Sequence, residues 1–238
     1  MRTIDYGPLP EHRADVHLPE SPDAAVLVYF HGGGLEIGER GDNPGLFEHL
    51  VGAGVGVISA NYRLYPGARY PEFVEDAALC VAWVLEHFPG RPILVGGSSA
   101  GAYLAMMLRF DPRWLSAQGI ASDAVVGWVF DAGQPTTHLN VLRERGLDTR
   151  RVVVDEAAPL FHIGPGTAAA PTLVLLAGDD IPGRREQTDL MLATLRTYGA
   201  DDGVRTVVLD GHQHCEYLGT EAGQARLAQL VAELAGRS

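Results

Sequence analysis

The chain contains no lysine at all; its 18 basic residues are all arginine. That absence excludes Schiff-base chemistry, covalent attachment of pyridoxal phosphate and the lysine-bearing phosphate loop. Cysteine is nearly absent too. Cys80 and Cys215 are too few for a disulfide framework, and Cys80 falls in a helical pattern that suits a buried free thiol, so a reducing compartment fits. No apolar run is long enough to cross a bilayer. The polar opening segment Met1–Glu20 lacks the apolar stretch of a secretory signal, which makes the cytoplasm the expected location. Positive charge is also scarce, and the net charge of −12 argues against nucleic acid and anionic membrane surfaces as partners.

What is present is ordinary globular material: 238 residues, 46% hydrophobic and 20% charged. That is enough for one substantial domain, expected to span 1–238, with no repeat or low-complexity linker. Val26–His31 has the length and the β-branched and aromatic character of a buried strand ending at Gly32. Val55–Ala60, Pro92–Gly97, Ala124–Phe130, Thr172–Ala177 and Val204–Leu209 share that character, and Ala14–Leu18 suggests an added edge strand. Helical patterns alternate with them at Pro71–His87, Ala100–Phe110, Arg184–Tyr198 and Glu221–Leu234. Such alternation predicts an α/β fold with a mostly parallel sheet and helices on both faces. The segment 132–171 is long for a connection, as a lid or a substrate-binding insertion would be.

Gly97-Ser98-Ser99-Ala100-Gly101 matches G-x-S-x-G between a strand and an apolar helix, the setting in which the central serine is a nucleophile. Small flanking residues let the strained turn form, and the helix start aims N–H groups and its positive dipole end at Ser99. His31-Gly32-Gly33-Gly34 ends an earlier strand, and its glycines let backbone N–H groups approach a substrate oxygen. The N–H groups of Gly33, Gly34 and Ala100 are the expected oxyanion hole; a glycine turn for packing or a phosphate cradle is the alternative. A serine needs a base and the base needs a carboxylate. Asp180 is preferred to Asp179 because it precedes the Ile181–Pro182 turn, and His214 is preferred to His212. The run His212-Gln213-His214-Cys215 has no matched second cluster, so a metal is the weaker reading. No cofactor is expected.

Assembled in this order, the residues resemble the hormone-sensitive-lipase-like branch of the α/β-hydrolase esterases, and their relatives among feruloyl and acetyl esterases and kynurenine formamidases. The likeness rests on His31–Gly34, on Asn61-Tyr62-Arg63-Leu64 with Tyr65-Pro66, Pro71, Glu75 and Asp76, and on Gly97–Gly101. It implies the α/β-hydrolase fold and hydrolysis of a small-molecule ester through an acyl-enzyme on Ser99, without metal or organic cofactor. Amide, formamide or peptide hydrolysis uses the same parts; a carbon–oxygen lyase or a non-catalytic binding protein are further alternatives. The sequence departs from the family in four places. Asn61 stands for an acid, Ser98 occupies a position that is often acidic, Leu35-Glu36 replaces an aromatic or aliphatic pair after the glycines, and no helical N-terminal cap is expected. Gln134, Thr137 and His138 follow a strand end on the expected active face and are candidate substrate contacts. The oligomeric state is open, with a dimer through an edge strand or the terminal helix conceivable.

Overall fold

The computed structural model describes residues 1–121 and 123–236. Eight strands form one sheet: β1 (Arg2–Asp5), β2 (Arg13–His17), β3 (Val26–Phe30), β4 (Gly56–Ala60), β5 (Ile93–Ser98), β6 (Gly127–Asp131), β7 (Thr172–Asp179) and β8 (Val204–Gln213). Their spatial order is β1-β2-β4-β3-β5-β6-β7-β8, antiparallel for the first two pairings and parallel thereafter. The segment expected as an edge strand is therefore interior. Arg13–His17 pairs with β4 on one side and with the unforeseen β1 on the other, and it is β1 that ends the sheet.

Seven helices accompany the strands among the described residues: α1 (Pro44–Gly52), α2 (Glu72–His87), α3 (Ala100–Phe110), α4 (Arg113–Ala117), α5 (Leu139–Glu144), α6 (Arg184–Thr197) and α7 (Glu221–Ala235). Because successive strand residues point to opposite faces, β3 feeds two cores. Val26, Val28 and Phe30 pack with Ala77 and Val81 of α2 and Leu104 and Met107 of α3. Leu27 and Tyr29 pack with Leu46, Phe47 and Leu50 of α1 and Leu227, Leu230 and Val231 of α7. Both faces being covered explains why the central strands read as continuous apolar runs. Helix α3 is apolar around nearly its whole circumference and is buried accordingly.

From β3 the chain moves outward to β4, then returns past β3 to β5. Between β3 and β5 the strand order reverses direction, and the carboxyl ends of strands at such a switch form a natural crevice. Gly32 follows β3 and Ser99 follows β5, so the glycine loop and the serine turn meet there.

Segment 132–171 carries α5 and a short 3-10 turn at Pro159–His162. It is fastened to the body: Tyr103 Oη donates to the Ala157 carbonyl at 2.8 Å, and Asn140 Nδ2 donates to the Gly34 carbonyl at 2.9 Å.

Candidate active site

Ser99 sits between β5 and α3 with φ +54° and ψ −112°. A non-glycine residue at positive φ costs on the order of 1–3 kcal/mol and persists only where its surroundings impose it. Here they do. The Ser99 N–H donates to the Asp131 carbonyl at 2.7 Å, and its own carbonyl accepts the Tyr103 N–H at 3.0 Å to open α3. The neighbouring glycines answer to space rather than to dihedral freedom. A Cβ on Gly101 would lie 1.9 Å from the Phe30 carbonyl oxygen, and one on Gly97 would lie 2.3 Å from the same atom.

The serine hydroxyl donates to His214 Nε2 at 2.9 Å. On the far side of the ring, His214 Nδ1 lies 2.6 Å from Asp180 Oδ1. An ionised carboxylate can only accept, so the Nδ1 carries the hydrogen and Nε2 is the acceptor facing Ser99. Burial raises the Asp180 pKa, but the hydrogen bond and charge of His214, the Ile181 N–H and the Arg184 charge together hold it below the ordinary carboxylate value. Asp179 is exposed on β7, opposite Gln213, and His212 packs edge-on against Tyr217 with ring centroids 5.9 Å apart. Neither enters the relay.

Gly33 and Gly34 adopt φ +102° and +66°, values open to glycine without strain. A Cβ on Gly32 would meet Ser99 Cβ at 3.4 Å, so the glycine loop lies directly against the serine. Among the described residues, the N–H groups of Gly33, Gly34 and Ala100 are engaged by no protein acceptor. His31 turns away, stacked on Tyr62 with its Nδ1 2.7 Å from the Gly32 carbonyl oxygen.

The three expected substrate contacts are placed differently. Gln134 Nε2 donates to Thr136 Oγ1 and the Thr137 carbonyl, Thr137 Oγ1 donates to Asp155, and His138 Nδ1 accepts the Asn140 N–H as the cap of α5. All three are buried, and these bonds tie them within their own segment, as buried polar groups need partners. Burial first, then the charges of Arg184 and Arg143, push the His138 pKa down to about 3, so its ring is neutral.

A sequence profile of the alpha/beta hydrolase fold matches residues 27–218, a span that begins in β3 and ends beyond His214. The chain belongs to the α/β-hydrolase family. This α/β-hydrolase is 40% identical over 98 residues to the esterase LipI of Mycobacterium tuberculosis, a match covering 38% of this chain and 30% of that protein. The segment matched thus spans about a third of that relative, although the tuliposide A-converting enzyme 2 of Tulipa gesneriana is 28% identical over 93% of this chain and 65% of its own length. Kynurenine formamidase of Danio rerio is 26% identical over 84% of this chain and 70% of that protein. Among solved structures, the Pyrobaculum calidifontis esterase superposes with a TM-score of 0.74 at 25% identity, covering 94% of this chain and 80% of that one. The apo form of Thermogutta terrifontis esterase 2 reaches 0.81 at 19% identity, covering 99% and 94%, a likeness of fold.

The chain also carries polar residues at the site that sequence reasoning passed over. Asp131, fully buried at the end of β6, accepts hydrogen bonds from Ser98 Oγ and Tyr217 Oη, and Tyr29 Oη donates to Ser98 Oγ at 2.9 Å. One carboxyl group thereby links the residue before Ser99 to the loop that carries His214. The signal for it was available: Asp131 lies directly across from Ser98 in the β5/β6 register, at the same carboxyl edge of the sheet. Among the described residues no group of three His, Cys, Asp or Glu side chains is arranged to hold a metal, and no helix is long and apolar enough to cross a membrane.

Proposed function

We propose that the protein is a serine hydrolase that cleaves carboxylic esters of small substrates by acyl transfer through Ser99. The observation that carries this reading is the continuous relay from Asp180 through His214 to Ser99, at 2.6 and 2.9 Å, beside three unengaged N–H groups. In the first step His214 Nε2 takes the Ser99 proton as Oγ attacks the ester carbonyl. The negative oxygen that develops is met by the N–H groups of Gly33, Gly34 and Ala100. His214 then passes its proton to the leaving alcohol. Water, activated by the same ring, releases the acid from Ser99. Asp180 holds the ring in the required tautomer and balances its positive charge. The segment 132–171 serves as a wall of the site, its α5 held against the glycine loop through Asn140.

Ser99→Ala is expected to abolish hydrolysis of short p-nitrophenyl esters and labelling by a fluorophosphonate, with folding unchanged by circular dichroism. Turnover retained by the variant would overturn the assignment. A second reading, hydrolysis of an aryl formamide, is favoured by the kynurenine formamidase match, which extends over most of both chains. Comparing an aryl formamide with the corresponding formate ester decides between them.

A further inference from the structure

Arg184, the first residue of α6, is only 6% exposed, yet its guanidinium has no hydrogen-bond or ion-pair partner among the described residues. Its Nη1 is completely enclosed and unmatched. The buried acid Asp76, by contrast, is met by both Arg63 and His12. A buried charge left without a partner is destabilising, so its retention calls for an explanation outside the chain's own contacts.

Its surroundings place it. Arg184 opens α6 four residues after Asp180, with its N–H donating to the Ile181 carbonyl at 3.0 Å, and so lies where the segments behind β7 and β8 deliver Asp180 and His214 to Ser99. Thr136 Oγ1 donates to Gln187 Oε1 at 3.0 Å across the same junction, locking the first turn of α6 to the loop after β6. Asn140, two residues beyond His138, holds Gly34 of the glycine loop and keeps its own buried Oδ1 unpartnered. Neither buried carboxylate beside the relay serves the arginine. Asp180 is taken by His214 and the Ile181 N–H, and Asp131 by Ser98 and Tyr217.

We infer that Arg184 receives an anionic group of the substrate, a carboxylate carried on the ester whose carbonyl is presented to Ser99. This rests on the acyl-transfer reading above. Guanidinium and carboxylate match as two parallel N–H to O bonds, and the pairing gains strength where water is scarce. The chain's net charge of −12 repels an anionic ester at long range, so a local cation is what makes such a substrate favourable.

The test uses the wild-type chain and two matched ester pairs: mono-p-nitrophenyl adipate against p-nitrophenyl hexanoate, with the carboxylate on the acyl side, and 4-acetoxybenzoate against 4-methylphenyl acetate, with it on the alcohol side. In at least one pair the anionic ester is expected to show the higher kcat/KM, by about tenfold or more. Arg184→Gln is expected to collapse that ratio to about one, and Arg184→Lys to restore part of it. A preference for the neutral ester in both pairs, or a ratio unchanged in Arg184→Gln, overturns the inference while leaving Ser99 hydrolysis standing. No turnover of any ester together with no fluorophosphonate labelling overturns both. Should the variants fail to fold, the wild-type ratio decides, and it must fall as salt rises.

Discussion

Replacing Asp131 with asparagine is expected to remove a pH dependence from the stability of the protein. Burial pushes the Asp131 carboxyl up to about 6, with the Ser98 and Tyr217 hydrogen bonds opposing the shift only in part. In the unfolded chain the same group titrates near ~3.9. Between those values the native state holds a proton that the unfolded state has released, so stability falls as pH rises through that window. The contribution is fully present below about pH 4 and is lost by about pH 6 to 7, and at roughly 1.4 kcal/mol per pH unit it amounts to about 3 kcal/mol. Asparagine has no proton to exchange. It also keeps one acceptor oxygen where the carboxyl offered two, so Ser98 or Tyr217 loses an acceptor, at a pH-independent cost of about 1–3 kcal/mol. Urea unfolding of both proteins at pH 4, 5, 6 and 7 separates these effects. The wild type is expected to exceed the variant most at pH 4, and the margin should shrink steadily towards neutrality. A margin that stays constant, or one that widens as pH rises, would refute the reasoning.

Gly101→Ala places a methyl group 1.9 Å from the Phe30 carbonyl and 2.7 Å from the His31 carbonyl. Backbone cannot yield as a flexible side chain would, so a loss of about 3 kcal/mol or more, or no soluble protein, is expected, and a thermal melt matching wild type would contradict it. Asp180→Asn keeps the shape of the relay but leaves His214 without its charged partner, so kcat on short esters is expected to fall by roughly 10³–10⁴ with KM little altered. Steady-state kinetics checks this, and a kcat within about tenfold of wild type would remove Asp180 from the mechanism.

Features governed by neighbours in sequence are legible in the sequence alone. The strand, serine turn and apolar helix around Ser99 are local, and α3 spans Ala100–Phe110 as its periodicity predicts. Asp180 and His214 are less legible, because β7 and β8 shift register between Ala177 and Asp179, so strict alternation no longer tells which side chain faces the site. Strand β1 was invisible for a different reason. Its residues are mostly exposed, and without a buried face Arg2–Asp5 carries no apolar alternation. The role of Asp131 depends on Ser98, 33 residues before it, and Tyr217, 86 residues after it, contacts that exist only once the sheet has closed. The same holds for Arg184, which as sequence is one more arginine at the start of a helix.

The relay draws one residue from behind β5, one from behind β7 and one from behind β8, with Ser99 and His214 separated by 115 positions. Reactivity at Ser99 is for that reason a gauge of completeness. A chain with its first six strands in place already owns the serine turn and the glycine loop, but it lacks Asp180 and His214 until the last strands dock. On the proposed reading the hydroxyl stays inert while the fold is unfinished, when an activated nucleophile would be open to any acyl donor nearby.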